Sequence, residues 1–483
     1  MQSLTHGPVT RRIVVFTIPL LLGNLFQQVY AFTDAAVVGQ FLGLSGLAAV
    51  GATASIMFLL VGFTWGAGSG LAIPVARAFG AGDHRTVRAT AAAGLYASVA
   101  MALIITVVGM LSARTALTLM NTPAEVLDDA TAYLVVICAG QMAAVAFNYL
   151  ASTMRALGDS RTPLIFLIAS SVLNALLVIL FVGVWHQGLA GAAATTIIGH
   201  GAAAVGCVIY IKKRMPLLHL TLDDLRAGLG HVKEVLATGL PMGFHVSIIA
   251  LGAMVLQVAI NNLGADAVAA TTAAMRLDGL AVAPLASIGV AMVTFVAQNR
   301  GAQQWERIRI GVFRMALVVT GLSITLSVII LVFSRQLATV FIGSHNPHVV
   351  DMAQTYLLIA AGLYGLLGLK FVYRSALQGM GHAVVATASG VVEMVARTVV
   401  GFTLVASLGI VGVALAAPIA WGAALTLVAV RWRMELPRLR LLEAGEEPAI
   451  SQSVPAAHLG PAVTPVFDDS ARESSERHAL ALG

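Results

Sequence analysis

Charge is scarce in this chain: charged side chains make up 10% of the 483 residues, against 58% that are hydrophobic. That excludes an ordinary soluble domain, in which about 25% of residues are charged. Cysteine occurs twice, as Cys138 and Cys207, both inside apolar runs, which excludes a disulfide framework or a cysteine metal cluster. No HExxH, GxSxG or GxxxxGK[ST] pattern occurs, so protease, hydrolase and ATPase readings have no motif behind them, and the chain reads as neither an enzyme nor a metalloprotein.

What is present is long apolar runs and a mean hydropathy of +0.90. Runs of roughly 18 to 25 residues recur, each long enough to cross a hydrocarbon core about 30 Å thick. Twelve spans are predicted: 13–39, 48–73, 90–112, 125–152, 161–184, 188–212, 235–262, 268–297, 309–333, 350–377, 382–406 and 409–432. The first run is too long for a signal-peptide core and is expected to remain as a span. Between spans, lysine and arginine divide about 21 to 2 in favour of the side that holds Arg11, Arg88 and Lys213, with only Arg114 and Arg335 opposite. By the positive-inside rule both termini lie in the cytoplasm. Topology thus accounts for the net charge of +6, with no nucleic-acid partner required. Beyond Pro437 the chain turns polar and proline-rich, the composition of a disordered tail.

Shifted by roughly 221 residues, the chain matches itself. Pro19 meets Pro241, Gly80 meets Gly301, Arg88 meets Arg309, and Gly188 and Gly191 meet Gly409 and Gly412. An even number of spans per half starts both halves on the same side, which implies two like bundles about an axis along the membrane normal, with a cleft between them. The organisation expected is an N-terminal lobe at 1–214, a cytoplasmic linker at 215–234, a C-terminal lobe at 235–433 and a disordered tail at 434–483. Gly62, Gly66, Gly68 and Gly70 in span 2 allow close helix approach. Pro19 is expected to bend span 1 as a hinge.

Polar residues that break the repeat are informative, since packing alone would treat the halves alike. Asp34 maps onto Val255 or Leu256, Asp278 onto Met57, and Glu393 and Arg397 onto Val172 and Leu176. A charged side chain at a helix centre costs about 2.5 to 3.5 kcal/mol on insertion scales, so such residues face interior cavities and act there. At about 1.5 Å per residue, Asp34, Asn174 and Thr196 lie at one depth, about 8 to 15 Å below the outer surface. An acid, an amide and a hydroxyl at one level suit a small proton site; interhelical hydrogen bonding is the other reading for Asn174 and Thr196. Glu393 and Arg397, spaced i, i+4, suit a neutralised pair, and Arg276 and Asp278 point to different neighbours. Lys370 is expected to snorkel. His200 and His245 stand inside spans, as core histidines or proton relays.

Over about residues 11 to 433 the chain resembles the multidrug and toxic compound extrusion (MATE) family. The resemblance rests on Pro19 with Asp34 in the run ending VVGQFLG, the paired loops VARAFGAGD and VAQNRGAQQ, and RALGDSRTPL, VLNALL, GLAGAAATT and VVEMVAR. It implies an all-α polytopic membrane protein, twelve transmembrane helices in two pseudo-symmetric six-helix bundles around a V-shaped cleft. It implies exchange of a cation for an amphiphilic organic cation, with no cofactor. Asp34 is similar to the span 1 aspartate of the DinF-like branch, and the resemblance gives coupling roles to Asp34, Asn174 and Thr196; Asp278, Glu393 and Arg397 are candidate second-lobe charges from the break in the repeat alone. One departure is Val178, where many relatives carry a second acid. A single titrating acid favours the proton as coupling ion, with sodium as the alternative. The expectation is multidrug efflux across the plasma membrane by a monomer whose partners are small organic molecules and the bilayer. The other function considered is flipping of a lipid or lipid-linked oligosaccharide, for which few basic residues lie within the spans.

Overall fold

A computed structural model of the chain describes residues 3–343 and 346–446; within its first helix the side chains of 29–36, 44, 45 and 47 fall outside that description. The described residues form fourteen α-helices, one π turn (Ile179–Val184), one short 3-10 turn (Pro216–Leu218) and no strand. In lipid every backbone polar group must be satisfied within the protein, and helices do this segment by segment.

The first half comprises α1 (Val9–Leu71), α2 (Ile73–Gly80), α3 (His84–Leu119), α4 (Ala124–Ala139), α5 (Gln141–Ala156), α6 (Arg161–Val178) and α7 (Gly188–Arg214). The second comprises α8 (Leu222–Asn261), α9 (Ala265–Gly301), α10 (Trp305–Ile342), α11 (Pro347–Gly362), α12 (Tyr364–Gly379), α13 (Ala383–Leu408) and α14 (Ile410–Glu443). Ten stretches among the described residues are long and apolar enough to cross a membrane, and two bent pairs bring the total to twelve.

The breaks follow local chemistry. Gly43 splits α1 with φ 66° and ψ −160°, a conformation that only glycine adopts without strain. The expected spans 125–152 and 350–377 are each a bent pair: α4 and α5 meet at 46° and α11 and α12 at 48°. The bends fall at Gly140 and just after Gly362, 222 residues apart (362 − 140), so the repeat extends to the irregularities.

Three expected boundaries change. Residues 222–234, expected in the linker, already belong to α8, whose start is fixed by a capping box between Thr221 and Asp224 and by the pairing of Asp224 with Arg88 at 3.1 Å. The expected tail from 434 begins as helix, because α14 continues to Glu443, which pairs with Arg309 at 3.0 Å; residues 447–483 lie outside the described ones. The N-terminal segment docks on the second lobe. Leu4, Val9, Ile13 and Phe16 belong to the same buried cluster as Phe295, Val312 and Tyr356. Backbone bonds hold it there: the Leu4 N–H donates to Gln298 Oε1 at 2.9 Å, and the Leu4 carbonyl accepts from Asn299 and Arg307.

The halves meet along glycines. A Cβ on Gly66 would lie 2.5 Å from the Met242 carbonyl oxygen, and one on Gly70 2.6 Å from that of Thr238, so α1 and α8 touch backbone to backbone. At the end of the bundle that carries Arg77 and Arg300 the contact is reciprocal. A Cβ on Gly80 would fall 1.9 Å from the Gln298 carbonyl oxygen, and one on Gly301 1.8 Å from that of Arg77. Both pairs are related by 221 (301 − 80 and 298 − 77). The C-terminal ends of α2 and α9 therefore clasp one another about the pseudo-two-fold axis. Gln298, fully buried, ties the clasp together by donating to the Ala156 carbonyl of the first lobe at 2.7 Å while accepting from Leu4.

Candidate functional site

Above the clasp lies a cavity that is partly open to solvent. Pro19, Asn24 and Gln27 of α1, Trp65 and Ser69 further along α1, Phe147, Asn148 and Arg155 of α5, Ser160 before α6, and Val290 of α9 are among its lining residues. The expected hinge, Pro19, stands in helical backbone here; the non-helical residue of α1 is Gly43. Asn24 reaches across the lobe boundary, its Nδ2 donating to Ser287 Oγ at 2.8 Å.

Asn174 and Thr196 come together as depth counting predicts. Asn174, 2% exposed, donates through Nδ2 to Thr195 Oγ1 at 3.3 Å and Thr196 Oγ1 at 3.4 Å, while its Oδ1 is buried without a hydrogen-bond partner. Gly199 lets α7 approach, since a Cβ there would sit 3.3 Å from Asn174 Cβ. Thr195 was not singled out from the sequence, although its neighbour was; one amide on α6 spans two adjacent hydroxyls on α7. The backbone of Asp34 lies in α1, but its side chain is outside the described residues, so its grouping with Asn174 and Thr196 rests on sequence.

The second-lobe charges form a larger network than a pair. Arg397 Nη2 donates to Glu393 Oε1 at 2.9 Å, the expected i, i+4 contact. Glu393 Oε2 accepts from Lys370 Nζ at 2.8 Å. Lys370 does not snorkel. At 3% exposed it is held inside by Glu393, because a buried ammonium with a carboxylate at contact distance avoids the penalty of lying unpaired in apolar surroundings. Arg374 donates through Nη1 to His245 Nε2 and lies over the Phe371 ring. A ring nitrogen that accepts carries no proton, so His245 is neutral and core-like. Asp278 accepts from the Tyr364 hydroxyl at 2.7 Å, a partner on another helix, as the spacing of Arg276 and Asp278 implied. Among the described residues no cluster of three or more potential metal ligands occurs.

Two lobes, a reciprocal clasp and polar residues within the spans make up the geometry of this chain. The MatE family model matches it twice, at residues 19–180 and 241–403, opening each time on the repeated proline. The chain belongs to the MatE family. Its relatives include the probable multidrug resistance protein YpnP of Bacillus subtilis, 27% identical over 78% of this chain and 84% of that one. YoeA of the same organism, also named as a probable multidrug resistance protein, is 29% identical over 76% and 80%. Multidrug export protein MepA of Staphylococcus aureus is 22% identical over 84% and 90%. Among solved structures, a MOP superfamily transporter from Pyrococcus furiosus superposes with a TM-score of 0.83 at 22% identity, covering 91% of this chain and 98% of that one. An outward-facing multidrug resistance MATE family transporter gives 0.80 at 22% over the same shares. The fold is that of the MatE transporters: twelve transmembrane helices in two pseudo-symmetric bundles about a V-shaped cleft. This MatE protein is a multi-pass membrane protein and a transporter rather than an enzyme.

Proposed function

We propose that this MatE-family chain exports amphiphilic, often cationic, organic compounds across the plasma membrane in exchange for protons, acting as a monomer of the DinF-like branch with Asp34 carrying the proton. The observation behind this reading is the cavity lined by α1, α5, α6 and Val290 of α9, next to the clasp that joins the lobes at Gly80 and Gly301. Support also comes from relatives named for multidrug resistance and export. With the basic end assigned to the cytoplasm by the positive-inside rule, the clasp seals the inner side and the cavity faces outward. The lobes, 1–214 and 235–433, would rock about this contact.

Coupling follows from competition at one group. A poorly hydrated cleft favours the neutral carboxylic acid, and a bound cationic compound favours the carboxylate. Proton and cargo then stabilise opposite states of Asp34, and linkage makes the competition reciprocal. Asn174, with an unsatisfied buried Oδ1, supplies an acceptor for a protonated partner, and Val178 one turn further on offers no second acid. Protonation from outside would neutralise Asp34, let α1 bend about Pro19 and release the cargo; deprotonation toward the cytoplasm would reset it.

In proteoliposomes, ethidium efflux driven by an imposed pH gradient is expected of the wild type and is expected to be lost in Asp34→Asn, which holds the neutral form permanently, with normal amounts of protein inserted. Asp34→Glu, which still titrates, is expected to keep part of the rate. Wild-type efflux by Asp34→Asn under the pH gradient would remove Asp34 from coupling, and efflux driven by sodium but not by pH would replace the proton.

A further inference from the structure

Among the described residues that line the cavity, the one charged side chain is positive. That residue is Arg155, and it also lines a second, smaller void next to the clasp, again as the one charged residue among those described. Arg155 ends α5, and its one side-chain hydrogen bond is from Nη2 to Ser152 Oγ at 2.8 Å. A guanidinium carries five N–H donors, so most of them have no protein partner. Asp159, four residues on, is committed elsewhere: its Oδ1 accepts from the backbone N–H groups of Arg161 and Thr162, and its Oδ2 from the Thr162 hydroxyl at 2.7 Å, which starts α6. Other arginines, Arg77, Arg88, Arg309 and Arg397 among them, meet carboxylates. Arg155 meets none among the described residues.

An uncompensated guanidinium within a helical bundle is unfavourable unless something anionic or wet completes it. Its planar fork matches a carboxylate or phosphate through two parallel hydrogen bonds. The rest of the wall is suited to a different end of a molecule. Asn24 and Asn148 each spend an amide N–H on the protein, on Ser287 and on the Ala144 carbonyl, and their carbonyl oxygens remain to accept from a cationic or N–H-bearing group. Trp65 and Phe147 offer flat apolar faces between.

We propose that Arg155 forms an oxyanion subsite at the floor of the cleft, and that the preferred cargo is a zwitterionic amphiphile: an aromatic body bearing a delocalised cation and a carboxylate that seats on Arg155. This rests on the export reading above for the meaning of the cavity, but it is a statement about binding and is tested without any gradient.

The probes are rhodamine 110, which has a free carboxyl group, and rhodamine 123, its methyl ester. Fluorescence anisotropy is measured with the full chain in phosphatidylcholine nanodiscs. A charge-assisted bidentate contact is expected to make rhodamine 110 bind about tenfold more tightly than rhodamine 123 to the wild type. The ratio is expected to fall to about one in Arg155→Gln and to an intermediate value in Arg155→Lys, which keeps the charge and loses the fork. A wild-type ratio of one or less overturns the subsite, as does a ratio that Arg155→Gln leaves in place. Should the Gln variant not fold, an unchanged ratio in Arg155→Lys overturns it equally. Repeating the titrations in phosphatidylglycerol nanodiscs separates the source of the oxyanion. A preference that persists supports a soluble cargo, and one that vanishes there assigns Arg155 to a net-anionic lipid headgroup and overturns the cargo class. If the preference holds while the Asp34 experiment shows no efflux, the export reading fails and the subsite stands.

Discussion

Glu393 holds two cations that come to it from different directions, Arg397 from one turn along α13 and Lys370 from α12. Removing the carboxylate alone leaves both cations facing each other in a site where Lys370 is 3% exposed. Breaking a buried pair in this way costs about 3–5 kcal/mol. Glu393→Gln is therefore expected to lower the thermal midpoint in detergent more than Glu393→Gln with Lys370→Met and Arg397→Met together. Glu393→Gln with Arg397→Met is expected to fall between, because Lys370 stays unpaired. This ordering distinguishes the three-membered network from an isolated pair, for which the double variant would recover fully. A Glu393→Gln protein as stable as the wild type but unable to transport would move the network from structure to mechanism.

Among the elements, the contact between α2 and α9 is the most exacting, since neither Gly80 nor Gly301 leaves room for a methyl group against the opposing carbonyl. Gly80→Ala must push the ends of the two helices apart, which penalises the clasped arrangement and leaves an unclasped one untouched. A penalty of about 1.4 kcal/mol on the clasped state alone would raise the unclasped fraction about tenfold while that fraction remains small. Thr294, 8% exposed beside the clasp, reports on this as Thr294→Cys: labelling by a membrane-impermeant maleimide from the basic side is expected to rise about tenfold when Gly80→Ala is added. The native cysteines are both buried and add little background. Equal labelling with and without Gly80→Ala would show that the clasp does not gate this side.

At the scale of the whole molecule, the orientation decides what every depth means. The division of lysine and arginine predicts that the clasped, basic end is cytoplasmic. A reporter that is active only in the cytoplasm is expected to work near Lys213 and to fail at Gln187. At the C-terminal end the fusion belongs after Glu446 and not after Arg433, because cutting α14 there removes Glu443 from Arg309. The reverse pattern of activity would turn the cavity toward the cytoplasm, and with it the direction of export.

The fold class, the twelve crossings, the repeat and the charge asymmetry were all legible in the sequence, because the bilayer imposes a length on each apolar run and a side on each basic loop, and both constraints act locally along the chain. The meeting of Asn174 with Thr196 was legible for the same reason, as a matter of depth. Partnership was not. Lys370 and Glu393 lie 23 residues apart, Arg374 and His245 129, and Gln298 and Ala156 142. Hydropathy says that a charge is inside a span and nothing about which helix faces it. The docking of residues 4–16 on the second lobe was hidden likewise, since a short apolar segment fits either bundle until Gln298 and Asn299 offer their amides to its backbone. Only the packed structure shows that Lys370 is neutralised, that Arg374 turns to a histidine, and that Arg155 lines the cleft with no carboxylate beside it among the described residues. Charge compensation is settled by distance in space, and the order of residues along the chain does not encode it.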